Sequence, residues 1–381
     1  MVATIGILGG GQLARMLALA GAPLGHRFLV VDSAEDACAA QVAPVLRADW
    51  RDFAALEAFA SKIDVATFDF ENVPAETAEW LTAHTRVFPN PAALAVAQDR
   101  LVEKSLFGEI GLDTPTFAAV DSLADLHRAV EKTGLPAVLK TRRLGYDGKG
   151  QAILRQHSDI ESAWDALGGV PLILEAFVAF ESEMSVIAVR SRSGEFRHYP
   201  LTRNWHSNGI LSASLAPVAV EAELQRRAVA RARALAERLD YVGVFALELF
   251  ACGDRLLGNE MAPRVHNSGH WTIEGTACSQ FENHIRAVLG LPLGDTDARG
   301  CSAMLNWIGE LPDATPVLAE ARAHWHDYGK SPRPGRKVGH ATLCADSAEE
   351  LVERLQRVGR ALDREVHVAP VIAALAANGT A

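Results

Sequence analysis

The chain has 381 residues, of which 49% are hydrophobic and 22% charged, with a formal net charge of -10. Two or three domains are expected at this length, and the acidic balance argues against a nucleic-acid binder, because phosphate backbones attract basic surfaces. The five cysteines show no C-x-x-C spacing, the N-terminus lacks the basic start of an export signal, and no apolar run reaches the ~18 residues of a membrane span. These features predict a cytoplasmic protein with reduced thiols and no membrane contact.

The first predicted element is an apolar strand at residues 3–8 that ends in three glycines, residues 9–11. Apolar residues at helical spacing follow over 12–20, and a second strand ends in Asp32, about twenty residues after the glycines. Strand, glycine turn, helix and acid fit the dinucleotide fingerprint. An NAD-dependent dehydrogenase is therefore an alternative hypothesis, although a glycine turn at a strand end suits many small anions.

A further strand, residues 65–70, runs into Glu71, Asn72 and a proline. Side chains at the carboxyl ends of parallel strands lie where α/β sheets bind ligands, so Glu71 could hold a ribose or an amine. Helix capping is the alternative, and it is the favoured interpretation for Asn72, which precedes a predicted helix at 75–83.

Two closely spaced prolines, Pro89 and Pro91, predict a domain boundary because they disfavour helix. One helix is expected over residues 92–110, with Arg100 and Lys104 on a solvated face. An amphipathic helix is expected over residues 123–133.

A glycine-rich segment, residues 145–151, follows an apolar run that ends in Lys140. Its glycines can adopt positive φ and bring backbone N–H groups close to an anion, while Lys140 and Lys149 supply charge. The segment lacks the G-K-[ST] ending of a Walker A loop. It is predicted to hold nucleotide phosphates, and the alternative is a basic hairpin turn.

The strand at residues 171–178 leads into a connector with apolar side chains. Its backbone edge beside Phe177 and Val178 could contact an adenine ring, and Glu183 could accept from ribose hydroxyls. A strand core is the alternative interpretation of the two apolar residues.

Two β-type runs flank the sequence Cys-Gly-Asp-Arg, which predicts a hairpin that brings Glu248 opposite Asn259 or Glu260. Facing carboxylates destabilise a ladder, and an unpaired carboxylate in an apolar strand is costly. A divalent cation resolves both problems, and oxygen ligands suit Mg²⁺ on nucleotide phosphates better than Zn²⁺. The alternative is neutralisation by Arg255 or Arg264.

Two polar loops complete the candidate site. Residues 264–268 combine a guanidinium, an imidazole, an amide and a hydroxyl, which suits a small anion. Within a last segment of short strands and helices, residues 330–337 carry four cations. A phosphate-monoester clamp is the favoured interpretation of this second loop, and a solvated loop is the alternative.

Together these pieces resemble the ATP-grasp superfamily and, within it, the 5-(carboxyamino)imidazole ribonucleotide synthases. The resemblance covers nearly the whole chain and rests on five motifs: residues 9–13, 70–74, 145–151, 259–271 and 333–340. It implies an α/β (α+β) fold with a Rossmann-like open parallel sheet at 1–97, an ATP-grasp domain at 98–293 with a lid at about 115–174, and a small C-terminal domain at 294–381. Asp69 stands where the family commonly has Glu, and Ala262 where the superfamily often has Asn or Asp.

The resemblance also implies the roles of individual residues. ATP would contact Arg100, Lys140, Gly145, Tyr146, Asp147, Gly148, Lys149, Gly150, Gln151, Glu175, Ala176, Phe177, Val178, Glu183, His206, Asn259 and Glu260. Mg²⁺ would be held by Glu248 and Glu260. Ribonucleotide and bicarbonate would contact Gly11, Gln12, Leu13, Glu71, Asn72, Arg264, His266, Asn267, Ser268, Lys330, Arg336 and Lys337. The catalytic residues would be Tyr146, Asp147, Lys149, Arg264 and His266.

The activity implied is ATP-driven carboxylation of 5-aminoimidazole ribonucleotide by bicarbonate, through carboxyphosphate, in a homodimer of the purine pathway. Such chemistry needs in-line positioning, charge neutralisation and exclusion of water beneath a closing lid. Three alternatives stay open besides this activity: the dehydrogenase, a non-catalytic nucleotide sensor, and another ATP-grasp ligase such as a formate-using ribonucleotide transformylase.

Overall fold

An open parallel sheet forms the first part of the chain, as the sequence predicts. The computed structural model describes residues 2–145 and 150–378, so the predicted site residues Tyr146, Asp147, Gly148 and Lys149 lie outside the described ranges. The elements in chain order are β1 (Thr4–Leu8), α1 (Gln12–Gly21), β2 (Arg27–Asp32), β3 (Val45–Arg47), α2 (Phe53–Ala60), β4 (Val65–Phe68), α3 (Ala75–Thr82), β5 (Arg86–Val87) and α4 (Pro91–Ala97). The strand order is β3-β2-β1-β4-β5, with every pairing parallel.

The order of the strands reverses at β1, which lies between β2 and β4. In open α/β sheets such a reversal leaves a crevice at the carboxyl ends of the strands, where ligands bind. The glycine turn follows β1, and Asp69 follows β4. Both therefore lie at the ligand-binding edge of this sheet.

The segment behind the proline boundary differs from the single predicted helix. Two helices are present, α4 and then α5 (Arg100–Glu109). Asp99 caps α5 by accepting from the Leu101 N–H at 3.1 Å, and the Gln98 side chain donates to the Glu71 and Val73 carbonyls. The helix therefore breaks at Gln98 and Asp99. The Asp99 side chain caps a free N–H group at the start of α5, and the Gln98 side chain is bonded to the segment before α3.

The predicted cap of α3 is also wrong. The residue before the helix is Pro74, and no side chain caps it. Asn72 lies two residues further upstream, too early in the chain to occupy the cap position. The Asn72 side chain is instead available to the cavity described below.

A smaller antiparallel sheet follows α5. Its elements are β6 (Phe117–Val120), α6 (Leu123–Thr133), β7 (Ala137–Thr141), β8 (Gln151–Leu154), α7 (Asp159–Leu167) and β9 (Leu172–Ala176). The strand order is β6-β9-β7-β8, and the apolar faces of α6 and α7 pack on it. Strand β7 pairs with β8, with Lys140 opposite Gln151. The described residues Gly150 and Gln151 therefore lie beside the end of β7 in the small sheet.

The rest of the chain builds one large antiparallel sheet with helices on it. The elements are β10 (Ser182–Arg190), β11 (Phe196–His198), β12 (Thr202–Ser207), β13 (Ile210–Ala216), α8 (Ala222–Arg238), β14 (Gly243–Cys252), β15 (Arg255–Ala262), α9 (Thr272–Gly275), α10 (Gln280–Leu289), β16 (Cys301–Ile308), α11 (Thr315–Leu318), β17 (Ala323–Asp327), β18 (Lys337–Ala345), α12 (Ala348–Ala361) and α13 (Glu365–Asn378). The strand order is β15-β14-β10-β12-β13-β16-β18-β17, with β11 on β10.

Strands from the C-terminal segment thus extend the central sheet, because β16 pairs with β13. This continuity brings the basic loop before β18 to the same part of the molecule as the hairpin of β14 and β15. Within residues 2–145 and 150–378, no helix combines the length and the apolar character needed to cross a membrane.

Candidate active site

The hairpin of β14 and β15 brings the two predicted metal carboxylates together. Glu248 lies directly opposite Glu260, and the next pair along the ladder is Leu249 with Gly258. Asn259 is the extra residue of a β-bulge between these pairs. Both glutamates line the same cavity of about 250 Å³, so their side chains share one space.

The two carboxylates differ in their electrostatic surroundings. Burial, together with the neighbouring charge of Glu260, raises the pKa of Glu248 to about 8. Burial would also raise the pKa of Glu260, but the Arg100 guanidinium outweighs it and lowers that pKa below the ordinary value. Arg100 Nη1 lies 2.9 Å from Glu260 Oε2. Burial and the facing charge therefore disfavour ionisation of Glu248, whereas the Arg100 guanidinium favours the ionised form of Glu260.

The arginines proposed from the sequence as neutralising partners are not the ones the structure uses. Arg255 is exposed at the hairpin turn, and Arg264 pairs with Glu71. Arg100 neutralises Glu260 instead. The interpretation that Arg255 or Arg264 neutralises the two glutamates is therefore wrong. The cation is Arg100 of helix α5, which is distant from the hairpin in the sequence.

His266 contacts the carboxyl group of Glu248. Its Nε2 lies 3.0 Å from Glu248 Oε1, and its Nδ1 lies 2.8 Å from Ser268 Oγ. Ser268 Oγ in turn lies 2.8 Å from Ser185 Oγ, which accepts from Asn204. Burial and the positive charge of Arg264 lower the pKa of His266 well below its ordinary value, so the imidazole is neutral. The chain of hydroxyls fixes the orientation of this neutral ring.

Asn267 carries an unsatisfied amide beside the carboxylates. Neither its Nδ2 nor its Oδ1 has a hydrogen-bond partner in the described part of the chain, although the residue is only 8% exposed. It lines the same cavity. Because buried amides are rarely left unpaired, this group is suited to a ligand that both donates and accepts.

A buried carboxylate lies between two lysines, and one of them, Lys140, lines the cavity. Glu175 Oε2 lies 3.0 Å from Lys140 Nζ and 3.4 Å from Lys104 Nζ. Burial opposes ionisation, but the two ammonium groups outweigh it and lower the pKa of Glu175 to about 2. Its other oxygen, Oε1, is buried with no partner among the described residues. That oxygen is a free acceptor for an amine donor such as the exocyclic group of adenine.

The predicted nucleotide residues Gln151, Glu183, His206 and Asn259 line the same cavity as the two facing glutamates. Glu183 and His206 form an ion pair, which raises the pKa of His206 above its ordinary value against the opposing effect of burial. Gly150 has φ of +70°, and a side chain there would collide with Thr141. The cavity is lined by Arg100, Lys140, Gln151, Glu183, His206, Gly209, Leu211, Glu248, Phe250, Asn259, Glu260, His266, Asn267 and Lys337.

The predicted adenine segment begins where β9 ends. Ala176 is the last residue of the strand, and Phe177 is 48% exposed. The Phe177 N–H donates to the Pro136 carbonyl at 3.0 Å. The ring of Phe177 is therefore free to contact a ligand, whereas its N–H already has a partner; Val178, the next residue, is half-buried.

A second cavity of about 120 Å³ adjoins the first. It holds the Arg264–Glu71 ion pair, which lowers the pKa of Glu71 although burial alone would raise it. Its lining residues are Glu71, Asn72, Ala97, Gln98, Arg100, Glu103, Arg142, Leu144, Gly145, Glu260, Met261, Ala262, Arg264, His266 and Lys337. The residues that line both cavities are Arg100, Glu260, His266 and Lys337. The two cavities are therefore separated by a shared wall of charged and polar side chains.

The N-terminal glycine turn is filled by carboxylates. Asp32 accepts from the Gly10 and Ala34 N–H groups, and Asp69 accepts from the Ala14 N–H at 3.1 Å. A side chain at Gly9 would overlap Asp69 Oδ1. The Gly10 and Ala14 N–H groups of this segment are therefore already bonded to carboxylates, and the Asp32 carboxylate binds backbone N–H groups instead of being free to bind the ribose of a dinucleotide. The dinucleotide interpretation therefore fails on geometry.

The basic loop meets the N-terminal sheet at this turn. Lys330 Nζ donates to Gln12 Oε1 at 2.5 Å, and Arg336 pairs with Asp36 at 3.1 Å. Gly11 adjoins Gln12, whereas the Leu13 side chain packs in the core. The structure therefore brings the basic loop next to Gln12, one of the predicted ribonucleotide contacts. Because the Leu13 side chain is in the core, only the backbone of Leu13 could contact a ligand.

Three family models match the chain in the order of its parts. They are the ribonucleotide synthetase preATP-grasp domain at residues 2–98, the ATP-grasp domain at 105–281, and the phosphoribosylaminoimidazole carboxylase C-terminal domain at 302–354. The N5-carboxyaminoimidazole ribonucleotide synthase of Pseudomonas aeruginosa is 55% identical over 345 residues, which cover 90% of this chain and 95% of the relative. The chain belongs to the N5-carboxyaminoimidazole ribonucleotide synthase family.

Solved structures of this synthase family agree with that assignment. The synthetase from Thermus thermophilus superposes with a TM-score of 0.90 at 54% identity, covering 93% of this chain and 98% of the other. The synthase from Aspergillus clavatus, solved in complex with ADP and 5-aminoimidazole ribonucleotide, has a TM-score of 0.88 at 31% identity. The match covers 95% of this chain and 99% of the other. The predicted family and the predicted ATP-grasp fold are confirmed.

Sequence reasoning missed two buried charges that support the site in this member of the synthase family. Lys104 was expected on a solvated face, but its side chain is fully buried, and Glu103 beside it is 1% exposed. A usable signal was present in the spacing. Arg100, Glu103, Lys104 and Phe107 recur at i, i+3, i+4 and i+7, which is the period of a buried helix face.

Proposed function

We propose that the chain uses ATP and bicarbonate to carboxylate the amine of 5-aminoimidazole ribonucleotide, giving N5-carboxyaminoimidazole ribonucleotide in purine biosynthesis. One observation carries the proposal: two adjoining polar cavities share a wall of Arg100, Glu260, His266 and Lys337. A reaction that passes an activated group from a nucleotide to a second substrate needs such adjacency, because the group must not escape to water.

The bond changes run in three steps. A bicarbonate oxygen attacks the γ-phosphorus of ATP and ADP leaves, which forms carboxyphosphate. Carboxyphosphate then breaks its C–O bond to give CO₂ and inorganic phosphate. The amine nitrogen finally attacks the carbon of CO₂ and loses a proton.

The first cavity supplies the nucleotide site in this proposal. Lys140 and Glu175 lie at the adenine end, with the free Oε1 of Glu175 to accept from the exocyclic amine. The paired Glu183 and His206 would meet the ribose. Gly150 and Gln151 place the backbone of the glycine-rich segment beside the phosphates, and Lys149, which lies outside the described residues, would add a cation there.

The chemistry of Glu248 and Glu260 fits a divalent cation. Glu248 and Glu260 face each other across the ladder, and burial and the charge of Glu260 raise the pKa of Glu248, which is the arrangement that a bound cation would relieve. Within residues 2–145 and 150–378 no cluster of three or more His, Cys, Asp or Glu side chains is placed to hold a metal. In this proposal the further ligands would be phosphate oxygens and water. When bound, Mg²⁺ would neutralise developing charge on the transferred phosphoryl group.

Bicarbonate would lie at the shared wall. Arg264, oriented by Glu71, offers a guanidinium, and the unpaired amide of Asn267 offers a donor and an acceptor. The neutral ring of His266 has one donor nitrogen and one acceptor nitrogen, so it can hydrogen-bond in this region without bringing a positive charge. Ser268 fixes that ring through its hydroxyl.

The ribonucleotide would enter the second cavity with its phosphate towards the basic loop. Lys330, Arg336 and Lys337 supply cations there, next to Gln12 and Gly11 of the glycine turn. Asn72 and Glu71 line the cavity nearer the shared wall. Tyr146 and Asp147, outside the described residues, are proposed beside the reacting amine. A homodimer in the cytoplasm is part of the same proposal.

The test is phosphate release from MgATP by the purified protein, with each co-substrate omitted in turn. Release that requires both bicarbonate and 5-aminoimidazole ribonucleotide supports the proposal. Release with formate in place of bicarbonate would assign a transformylase instead. Binding of MgATP without release under any combination would leave only a nucleotide sensor, and the proposal would fail.

A further inference from the structure

Strand β15, which carries Glu260, contains a β-bulge on which the geometry of the site depends. Consecutive residues of a regular strand point to opposite faces, so Asn259 and Glu260 should not share a cavity. Both line the nucleotide cavity here. The bulge at Asn259 makes this possible, because it inserts one residue between the Leu249–Gly258 and Glu248–Glu260 pairs.

Removing the bulge would shift the register of the strand by one residue. Asn259 would then face Glu248, and Glu260 would turn to the opposite face of the sheet, since the side-chain period of a strand is two. The cavity would lose its second carboxylate. The position of Glu260 therefore depends on whatever keeps the bulge in place.

Helix α5 supplies the partners of the bulged backbone. Lys104 Nζ donates to the Asn259 carbonyl at 2.8 Å and to the Gly258 carbonyl at 3.2 Å. Glu103 Oε1 accepts from the Met261 N–H at 2.7 Å. Strand β15 lies at the edge of the large sheet, so its outward-facing backbone groups have no ladder partner, and buried backbone groups need partners. Both side chains are thus bonded to the backbone on either side of Glu260.

Close packing holds the helix and the strand at this distance. A side chain at Gly258 would lie 2.8 Å from both Phe107 and Leu112, so the α5 segment approaches the strand backbone directly. The Gly258 N–H also donates to the Asp113 carbonyl at 2.7 Å. One turn earlier on the same helix, Arg100 pairs with the Glu260 carboxylate itself.

We propose that Lys104 and Glu103 are positioning residues, which keep the bulge of β15 and thereby point Asn259 and Glu260 into the nucleotide cavity. Lys104 lines neither cavity, and Glu103 reaches the second cavity but its Oε1 is bonded to the Met261 N–H. Lys104 also pairs with Glu175, so it joins the strand that carries the metal carboxylate to the strand at the adenine end of the cavity. The inference rests on the proposed function only for the identity of the ligand, a metal-bound nucleotide.

The first experiment is Lys104→Met, which preserves length and removes the donors. Binding of Mn²⁺ in the presence of a non-hydrolysable ATP analogue, followed by electron paramagnetic resonance, reads the site without turnover. We expect the dissociation constant for Mn²⁺ to rise by about tenfold or more, as for other residues that orient metal ligands. KM for 5-aminoimidazole ribonucleotide should stay within about twofold, because the second cavity keeps its Arg264–Glu71 pair.

The matched control is Lys132→Met. Lys132 lies on α6 and donates to a single exposed backbone carbonyl, that of Phe117. We expect Mn²⁺ binding by this variant to equal that of the wild type. A shared loss in both variants would mean that lysine removal alone perturbs the protein, and it would overturn the assignment.

Lys104→Met also removes one ion-pair partner of Glu175. A second comparison therefore distinguishes the loss of this ion pair from the loss of the bonds to the β15 backbone. The double variant Lys104→Met with Glu175→Gln is compared with Glu175→Gln alone. A positioning role predicts that Mn²⁺ binding in the double variant stays about tenfold weaker than in Glu175→Gln. Equal binding in these two would show that Lys104 only neutralises Glu175, and the proposal would fall.

Glu103→Leu provides an independent variant if the lysine variants do not fold. It removes the acceptor of the Met261 N–H and should weaken Mn²⁺ binding in the same direction, whereas Glu103→Gln keeps an acceptor and should not. Unchanged Mn²⁺ binding in Glu103→Leu would contradict the proposal. A wild type that binds Mn²⁺ and nucleotide but releases no phosphate would refute the proposed function and leave this inference standing.

Discussion

Replacement of Glu260 by Gln should strongly lower the rate of phosphate release and leave the free energy of unfolding almost unchanged. The variant removes one of the two facing carboxylates and keeps the shape of the side chain. Without it, a cation on the phosphates would have one protein carboxylate instead of two. We expect kcat for phosphate release to fall by about 10³-fold, or roughly 4 kcal/mol of transition-state stabilisation.

The folded state should change little. The Arg100 and Glu260 side chains are 17% and 39% exposed, so water screens their attraction, and such pairs contribute about 1 kcal/mol or less. Loss of the facing charge also relieves Glu248, which offsets part of that contribution. We therefore expect the free energy of unfolding to change by less than about 1 kcal/mol and the melting temperature by less than about 4 °C.

The assays are Mg²⁺-dependent phosphate release and thermal unfolding of the same preparations. Glu35→Gln is the matched control, because Glu35 forms a surface ion pair with Arg47 outside both cavities. It should leave both quantities unchanged. Phosphate release by Glu260→Gln within tenfold of the wild type would refute the metal assignment, and a collapse of the fold would refute the electrostatic reasoning.

Two further predictions concern the walls of the cavities. Glu71→Gln should raise KM for 5-aminoimidazole ribonucleotide or bicarbonate by about tenfold and leave KM for ATP unchanged, because it frees Arg264 in the second cavity only; a matching rise for ATP in steady-state kinetics would contradict this. The Glu175 carboxylate, whose pKa falls from 4.5 to about 2 on folding, should contribute about 3 kcal/mol of stability above pH 4.5 that is lost as the pH falls towards 2. Urea unfolding at pH 6 and pH 3 should therefore show a steeper loss in the wild type than in Glu175→Gln, and parallel losses would count against the lowered pKa.

Local features of the fold were readable from the sequence because they depend on neighbouring residues. The glycine turn after β1 and the helix Leu123–Thr133 follow from turn chemistry and from helical periodicity. The hairpin of β14 and β15 was likewise predicted from its turn. The register of that hairpin stayed open between Asn259 and Glu260, and the structure selects Glu260.

The bulge that selects Glu260 could not be found by the same means. Its stabilising partner, Lys104, comes from a helix that precedes Asn259 by 155 positions in the chain. The pairing of β16 with β13 is also a contact between distant segments, and it joins the C-terminal segment to the central sheet. Asp99, by contrast, is a common cap residue, so the break between α4 and α5 had a local signal.

The glycine turn shows why a motif needs its structural context. The spacing fits the dinucleotide fingerprint, yet the Gly10 and Ala14 N–H groups are already bonded to Asp32 and Asp69. Asp69 comes from the strand beside β1, and its approach over Gly9 is not visible in the motif. Asp69, which follows the neighbouring strand β4, therefore limits which anions can bind at the turn.

In the proposed reaction, the protein transfers a phosphoryl group in one cavity and carboxylates an amine in the other. The most direct measurement is the incorporation of ¹⁴C from labelled bicarbonate into 5-aminoimidazole ribonucleotide, measured together with phosphate release. We predict one labelled carbon for each phosphate released, and no label without ATP. Phosphate release without incorporation, or incorporation without ATP, would contradict the account.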